Sequence, residues 1–202
     1  MTLSKSQLIK RIFKPTVFFL SLVPFLILCW NFFNDTLSAN PLDDITDETG
    51  TWTLRFLLIT LSITPLRKIF HWHNLINFRK MFGLFAFFYG TLHFITYIWF
   101  DKFFEWQEIL TDISKRPFIT IGFASFVLMI PLAVTSFQKM IRLLKKKWQI
   151  LHRLIYIITI GGVVHYWWLV KSDIQRPLMY AILLTVLLGY RIVIFFISQK
   201  KV

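Results

Sequence analysis

The chain has 202 residues, 56% of them hydrophobic and only 16% charged, with a mean hydropathy of +0.60. A soluble domain carries roughly 45–50% apolar and about 25% charged residues, so this composition excludes a water-soluble globule. A net charge of +13 would suit nucleic acid in a soluble protein. Here the cations sit in short runs between long apolar blocks, which is the pattern of membrane topology and gives no reason to expect a nucleic-acid partner.

Six blocks are long enough to cross a hydrocarbon core about 30 Å thick, which takes roughly 20 helical residues. In chain order they are Pro15 to Phe33, Trp52 to Phe70, Met81 to Phe100, Phe118 to Phe137, Ile150 to Val170 and Leu178 to Ser198. Backbone polar groups find no water at that depth, so such runs must be helical. The expected fold is an all-α integral membrane protein, a six-transmembrane-helix bundle over residues 15–198. A segment 1–14 precedes it and a tail 199–202 follows, both on the cytoplasmic side. Lys5, Lys10, Arg11 and Lys14 before the first block imitate a signal peptide. The apolar run is longer than an h-region of about 7–15 residues, so it reads as an uncleaved first helix.

Charge sets the orientation. The N-terminal cations fall on one side together with Arg67, Lys68, Arg79, Lys80, Lys139, Arg142, Lys145, Lys146, Lys147, Arg153, Lys200 and Lys201, and the positive-inside rule makes that side cytoplasmic. The opposite connections hold Lys102, Lys115, Arg116, Lys171 and Arg176 with all ten acidic residues, leaving a negative outer face suited to a basic partner. Asp101 to Lys115 mixes Phe103, Trp106, Ile109, Leu110 and Ile113 with polar residues at helical spacing, and is expected to lie flat on that surface. No internal repeat is visible in the sequence.

No phosphate loop, nucleophile elbow or carboxylate pair stands within a span, so hydrolytic chemistry has no residues to work with. The chain offers histidine instead. His93 lies about 12 residues, roughly 18 Å, from the cytoplasmic start of the third span, and His165 about 15 residues, roughly 22 Å, from that of the fifth. Two imidazoles at one depth on two helices can clamp a single iron, and an ionisable group so deep is functional by default. Zinc is poorly supported because no cysteine or carboxylate shares the depth. The lone Cys29 and the absence of Cys-x-x-Cys-His leave no covalent c-type attachment, so a haem would be held by coordination and packing. A haem with both axial positions filled by histidine moves electrons and does not activate oxygen.

His152 lies 13 residues before His165 at the cytoplasmic edge, which suits a second redox centre below the first. On an ideal helix the two rings point roughly 140° apart, so a bulge at Gly161 and Gly162 or different haem attitudes would be required. An interfacial histidine reaching towards phosphates is the other reading. His71 and His73, among lysines and arginines in a connection, read as solvated side chains.

Several stretches then carry a resemblance. They are Asn40-Pro-Leu-Asp-Asp-Ile with Thr49 and Gly50; Ile63-Thr-Pro-Leu; Arg79-Lys-Met-Phe-Gly-Leu with Leu92, His93 and Tyr97; Lys115-Arg-Pro-Phe-Ile-Thr-Ile-Gly; Thr135, Ser136 and Met140; Trp148-Gln-Ile-Leu-His152 with Tyr156; and His165-Tyr-Trp-Trp-Leu-Val-Lys171. In this order, over nearly the whole chain, they resemble the MsrQ (YedZ) family, haem-binding membrane subunits of a bacterial periplasmic protein-methionine-sulfoxide reductase system. The resemblance implies a ferric-reductase-like domain in the inner membrane, holding one or two b-type haems with FMN as a further cofactor. It implies electrons taken from a cytoplasmic flavin reductase or membrane quinol and passed to MsrP, the periplasmic molybdopterin subunit on which methionine sulfoxide is reduced. His93 and His165 match the outer haem ligands, and His152 the inner histidine. Wider ferric-reductase relatives carry a second histidine 13 or 14 residues before the one matching His93, where this chain has Lys80 and Arg79. Arg79 is within about 40° of the His93 face and is placed to meet a haem propionate. Arg142, Lys145, Lys146 and Lys147 are expected to hold a flavin phosphate or dock a donor. A stand-alone ferric or quinone reductase is the alternative, and a transporter fits poorly because the spans hold no acid.

Overall fold

The computed structural model describes residues 5–170 and 172–199. Lys171, Lys200 and Lys201, residues 1–4 of the N-terminal segment and the tail beyond Gln199 lie outside the described residues.

Among the described residues every regular element is helical. A turn of helix (Lys5–Leu8) and a π turn (Ile9–Phe13) lead into α1 (Lys14–Phe33), and α2 is Pro41–Ile69. A 3-10 turn (His73–Phe78) opens α3 (Arg79–Ile95), which ends in a π segment (Thr96–Asp101) just past His93. Then come α4 (Trp106–Lys115), α5 (Pro117–Val134), the short α6 (Gln138–Leu144) and α7 (Lys146–Leu151), α8 (Leu154–Leu169) and α9 (Gln175–Gln199).

Five segments are long and apolar enough to cross a membrane: Arg11–Phe33, His73–Asp101, Pro117–Val134, Lys146–Leu169 and Gln175–Gln199. They coincide with five of the expected spans and make this a multi-pass membrane protein. The remaining expected span, Trp52 to Phe70, lies in α2. That helix has 29 residues, but Asp43, Asp44, Arg55, Arg67 and Lys68 make it less apolar than the five. Its position explains its composition. Leu54, Phe56, Leu57, Leu58, Leu61 and Ile63 make α2 the most buried helix of the bundle. The side chains that face outward on α1 and α9, among them Phe19, Leu20, Ile182, Val186 and Phe196, are instead large and apolar. A helix shielded by others can carry polar groups that lipid would reject.

The α2 helix also begins at Pro41, well before the expected Trp52. Pro41 at its first position and Asp43 and Asp44 in its first turn suit a helix N-terminus, where φ is pre-set and the dipole favours negative charge.

Two close helix pairs organise the bundle: α2 on α3, and α5 on α8. Phe56 of α2 stacks between Phe85 and Tyr89 of α3 at centroid distances of 5.5 and 5.4 Å. Proline in the helices is compensated by side chains from neighbours. Beside Pro24, the Tyr89 hydroxyl donates to the Ser21 carbonyl (2.9 Å) and accepts from the Phe25 N–H (3.1 Å), bridging both sides of one turn. Pro65 cannot supply the N–H that would close on the Leu61 carbonyl. Arg191 Nη2 of α9 donates to that carbonyl at 2.7 Å.

The expected surface helix is α4, with Ile109 and Asp112 buried and Trp106 and Leu110 exposed. Asp112 gathers Lys102 (2.9 Å), Arg116 (3.3 Å) and the Tyr97 hydroxyl (3.3 Å), tying α4 to the end of α3 and the start of α5. The hydrogen bond from Lys102 and the Arg116 charge hold the Asp112 carboxyl below its ordinary range, while the same bond raises Lys102. A carboxyl depressed by folding stabilises above its unfolded pKa and loses that stabilisation as pH falls through the folded value. The Asp112→Asn variant is therefore expected to melt lower than the parent at pH 7 by on the order of 1 kcal/mol. The gap should begin to narrow as pH drops below about 4 and close only below the depressed folded value. Thermal melts in detergent across that range check it.

Candidate functional site

The α3 and α8 helices bring His93 and His165 together, as their matching depths predicted. Their ring centroids are 6.2 Å apart with planes at 82°. Both Nδ1 atoms are engaged: that of His93 lies 3.0 Å from the Thr46 carbonyl of α2, and that of His165 lies 2.7 Å from the Phe118 carbonyl of α5. A carbonyl only accepts, so each Nδ1 carries the proton and each Nε2 keeps its lone pair. Donation of one ring nitrogen to a backbone carbonyl is the arrangement that orients a metal-binding imidazole through its other nitrogen. Two metal–imidazole bonds of about 2.0 Å plus the half-widths of the rings come to roughly 6 Å, which is the observed spacing. Among the described residues no group of three or more His, Cys, Asp or Glu could hold a bare ion. The pair therefore suits a metal that brings its own equatorial ligands, as a haem does.

His152 sits apart from this pair, nearer the basic side. No bulge forms at Gly161 and Gly162, through which α8 runs unbroken. The break falls at His152 and Arg153 themselves, between α7 and α8, where Arg153 N–H closes on Ile150 and Tyr156 N–H on Arg153 in tight three-residue turns. The ring stacks on Trp148 at 3.9 Å and its Nδ1 donates to the Trp148 carbonyl at 3.1 Å. Its Nε2 is buried without a hydrogen-bond partner. Arg79 lies within electrostatic reach of His152, Tyr156 and Arg191. Arg142, Lys145, Lys146 and Lys147 are all exposed, on α6, the link after it and α7. His71 and His73 are exposed too, as expected.

Two residues escaped the sequence reading, although an arginine inside an apolar span was signal enough to find them. Arg55 of α2 donates through Nε to the Tyr180 hydroxyl (3.1 Å) and lies over the Trp52 ring. Arg191 of α9 reaches the Tyr156 hydroxyl (2.9 Å) besides Leu61, and its own Nε is buried without a partner.

Residues 49–163 match the family model described as "Ferric reductase like transmembrane component". The chain is 50% identical over 191 residues to the protein-methionine-sulfoxide reductase heme-binding subunit MsrQ of Herminiimonas arsenicoxydans, covering 93% of this chain and 87% of that one. The chain belongs to the MsrQ family. The MsrQ of Bordetella parapertussis is 49% identical, covering 89% of this chain and 88% of its own length. That of Xanthomonas campestris pv. campestris is 48% identical, with 85% and 81% covered. No solved structure matches. The ferric-reductase match begins at Thr49 and ends at Val163, so it takes in His93 and His152 and stops two residues short of His165. This MsrQ-family chain has Lys80 and Arg79 where wider relatives were expected to carry histidine, and Lys80 lies over the Phe137 ring.

Proposed function

We propose that this chain holds a b-type haem between His93 and His165 and serves as the membrane electron-transfer subunit of a protein-methionine-sulfoxide reductase system. The observation that carries the reading is the adjacent pair of imidazoles, 6.2 Å apart, each with Nδ1 committed to a backbone carbonyl and Nε2 left to bind. Bound there, haem b supplies a one-electron relay inside the hydrocarbon core. The names of the MsrQ relatives, heme-binding subunits of that reductase, support the same role.

The residues divide the work by depth. His93 and His165 fix the outer centre, while the acidic first turns of α2, with Asp43, Asp44, Asp47 and Glu48, offer the surface on which the periplasmic molybdopterin subunit MsrP docks. Nearer the basic face, the unpartnered Nε2 of His152 serves as one ligand of an inner haem, with Arg79 and Arg191 neutralising propionates. The exposed Arg142, Lys145, Lys146 and Lys147 hold the phosphate of FMN or receive a cytoplasmic flavin reductase, membrane quinol being the other donor. In this arrangement α2 is the sixth crossing and residues 15–198 form the membrane domain, with both termini in the cytoplasm of a bacterium and the bundle in its inner membrane.

The test is a reduced-minus-oxidised spectrum with a haem count per chain, followed by reoxidation. A low-spin b-type spectrum, reoxidised by MsrP plus methionine sulfoxide, is expected. Two haems per chain support the inner site at His152, and one removes it. Reoxidation by iron chelates but not by MsrP would replace this reading with a stand-alone reductase. A colourless protein that takes up no added haem would overturn both.

A further inference from the structure

The surroundings of the two histidines repeat one another in a way the sequence does not. His93 lies against Gly50 of α2, and its Nδ1 reaches the carbonyl of Thr46, four residues before that glycine. His165 lies against Gly122 of α5, and its Nδ1 reaches the carbonyl of Phe118, again four residues before the glycine. In both closely packed pairs, α2 with α3 and α5 with α8, one helix brings the histidine and the other brings glycine and carbonyl.

Added side chains show what the glycines do. A Cβ at position 122 would stand 2.6 Å from His165 Nδ1 and 2.8 Å from its Cε1, and one at position 50 would stand 3.0 Å from His93 Cε1 and 3.1 Å from its Nδ1. The missing methyl lets each ring rest on the neighbouring helix backbone. Only from there can Nδ1 share a carbonyl at helix position i−4, one that ordinarily serves the glycine's own N–H. Contact and hydrogen bond together fix where the ring sits and how its plane is turned.

We infer that Gly50 and Gly122, with the Thr46 and Phe118 carbonyls, are matched seats that position the two axial imidazoles with their planes nearly perpendicular. The inference rests on the reading of His93 and His165 as haem ligands. The glycines are positioning residues, acting through the histidines they lie against. The seats are unequal. Gly122 has the closer approach and the shorter hydrogen bond, 2.7 against 3.0 Å, so His165 is held more tightly and its ring made the more basic ligand.

The test compares Gly122→Ala and Gly50→Ala with Gly189→Ala, whose added methyl would have no atom within 4 Å. Haem per chain, electron paramagnetic resonance of the oxidised protein and the midpoint potential are read in each. The parent should give the highly anisotropic low-spin signal of perpendicular axial planes. Gly122→Ala should weaken haem retention roughly 10- to 100-fold, as loss of an outer-shell partner does, and shift signal and potential in whatever haem remains. Gly50→Ala should move the same readouts less, and Gly189→Ala not at all. Should Gly122→Ala fail to fold, the gentler Gly50→Ala and the parent signal decide. A parent signal typical of parallel rings, or unchanged signal and potential in a folded glycine variant, overturns the seats. If His93→Ala and His165→Ala both keep their haem, the ligand reading itself fails. If they lose it while the glycine variants match the parent, only the seats fail.

Discussion

Replacing His165 with alanine is expected to leave the purified protein with at least a tenfold lower content of low-spin haem and to stop electron delivery to the periplasmic side. An axial bond cannot be replaced from nearby, because among the described residues no third histidine, cysteine or carboxylate joins this pair. His93→Ala should behave alike, the two rings being 6.2 Å apart and proposed to share one iron. His152→Ala should spare this centre and affect only an inner one, since its ring is stacked on Trp148 outside the pair. Free imidazole added to His165→Ala separates ligation from structure. The truncation leaves a ring-sized space beside Gly122, and imidazole entering it should restore the low-spin spectrum without restoring the covalent tether. A full haem complement in both single variants would remove the ligand assignment.

The depth arithmetic that paired these histidines was legible because membrane helices are nearly straight rulers: a fixed rise per residue converts position into depth. What closes each ring onto its neighbour was not legible. Gly50 and Gly122 carry no side chain to advertise a contact, and the Thr46 and Phe118 partners are backbone atoms whose identity the sequence does not encode. The same limit explains α2. Hydropathy reports lipid contact, and a helix wrapped by others needs little of it, so the run of acids before Trp52 looked like a loop although it continues the helix from Pro41. For His152 the ideal-helix ring angle required a bulge at Gly161 and Gly162 or different haem attitudes, but the chain breaks at His152 and Arg153, where Trp148 stacks on the ring and donates its indole N–H to the Thr135 carbonyl. Arg55 and Arg191 were lost for a different reason. Positive charge marks topology only in the connections, and these two stand inside helices.

Arg191 is where the second large effect is expected. Its guanidinium sits within α9, donates 2.7 Å to the Leu61 carbonyl and 2.9 Å to the Tyr156 hydroxyl, and lies over the Tyr156 ring. The Leu61 carbonyl is exposed to this need by Pro65, which offers no N–H four residues on. Arg191→Leu removes two hydrogen bonds from a charged donor and leaves the Leu61 carbonyl without the donor that Pro65 cannot supply. At about 1.5–3 kcal/mol for a bond to a charged group, offset by the lower cost of placing leucine at that depth, a net loss of about 2–4 kcal/mol is expected. For a chain of this size that lowers the melting temperature by roughly 5–15 °C. Arg191→Lys keeps the charge but puts one nitrogen in place of the two that reach Tyr156 and Leu61, and should fall between. A double-mutant cycle tests the cause. Pro65→Ala restores the ladder N–H to Leu61, so in that background Arg191→Leu should cost less by about 1 kcal/mol, a coupling that additive sites would not show. Equal losses in both backgrounds would mean that Arg191 stabilises α9 through Tyr156 alone and that the proline-freed carbonyl is satisfied elsewhere.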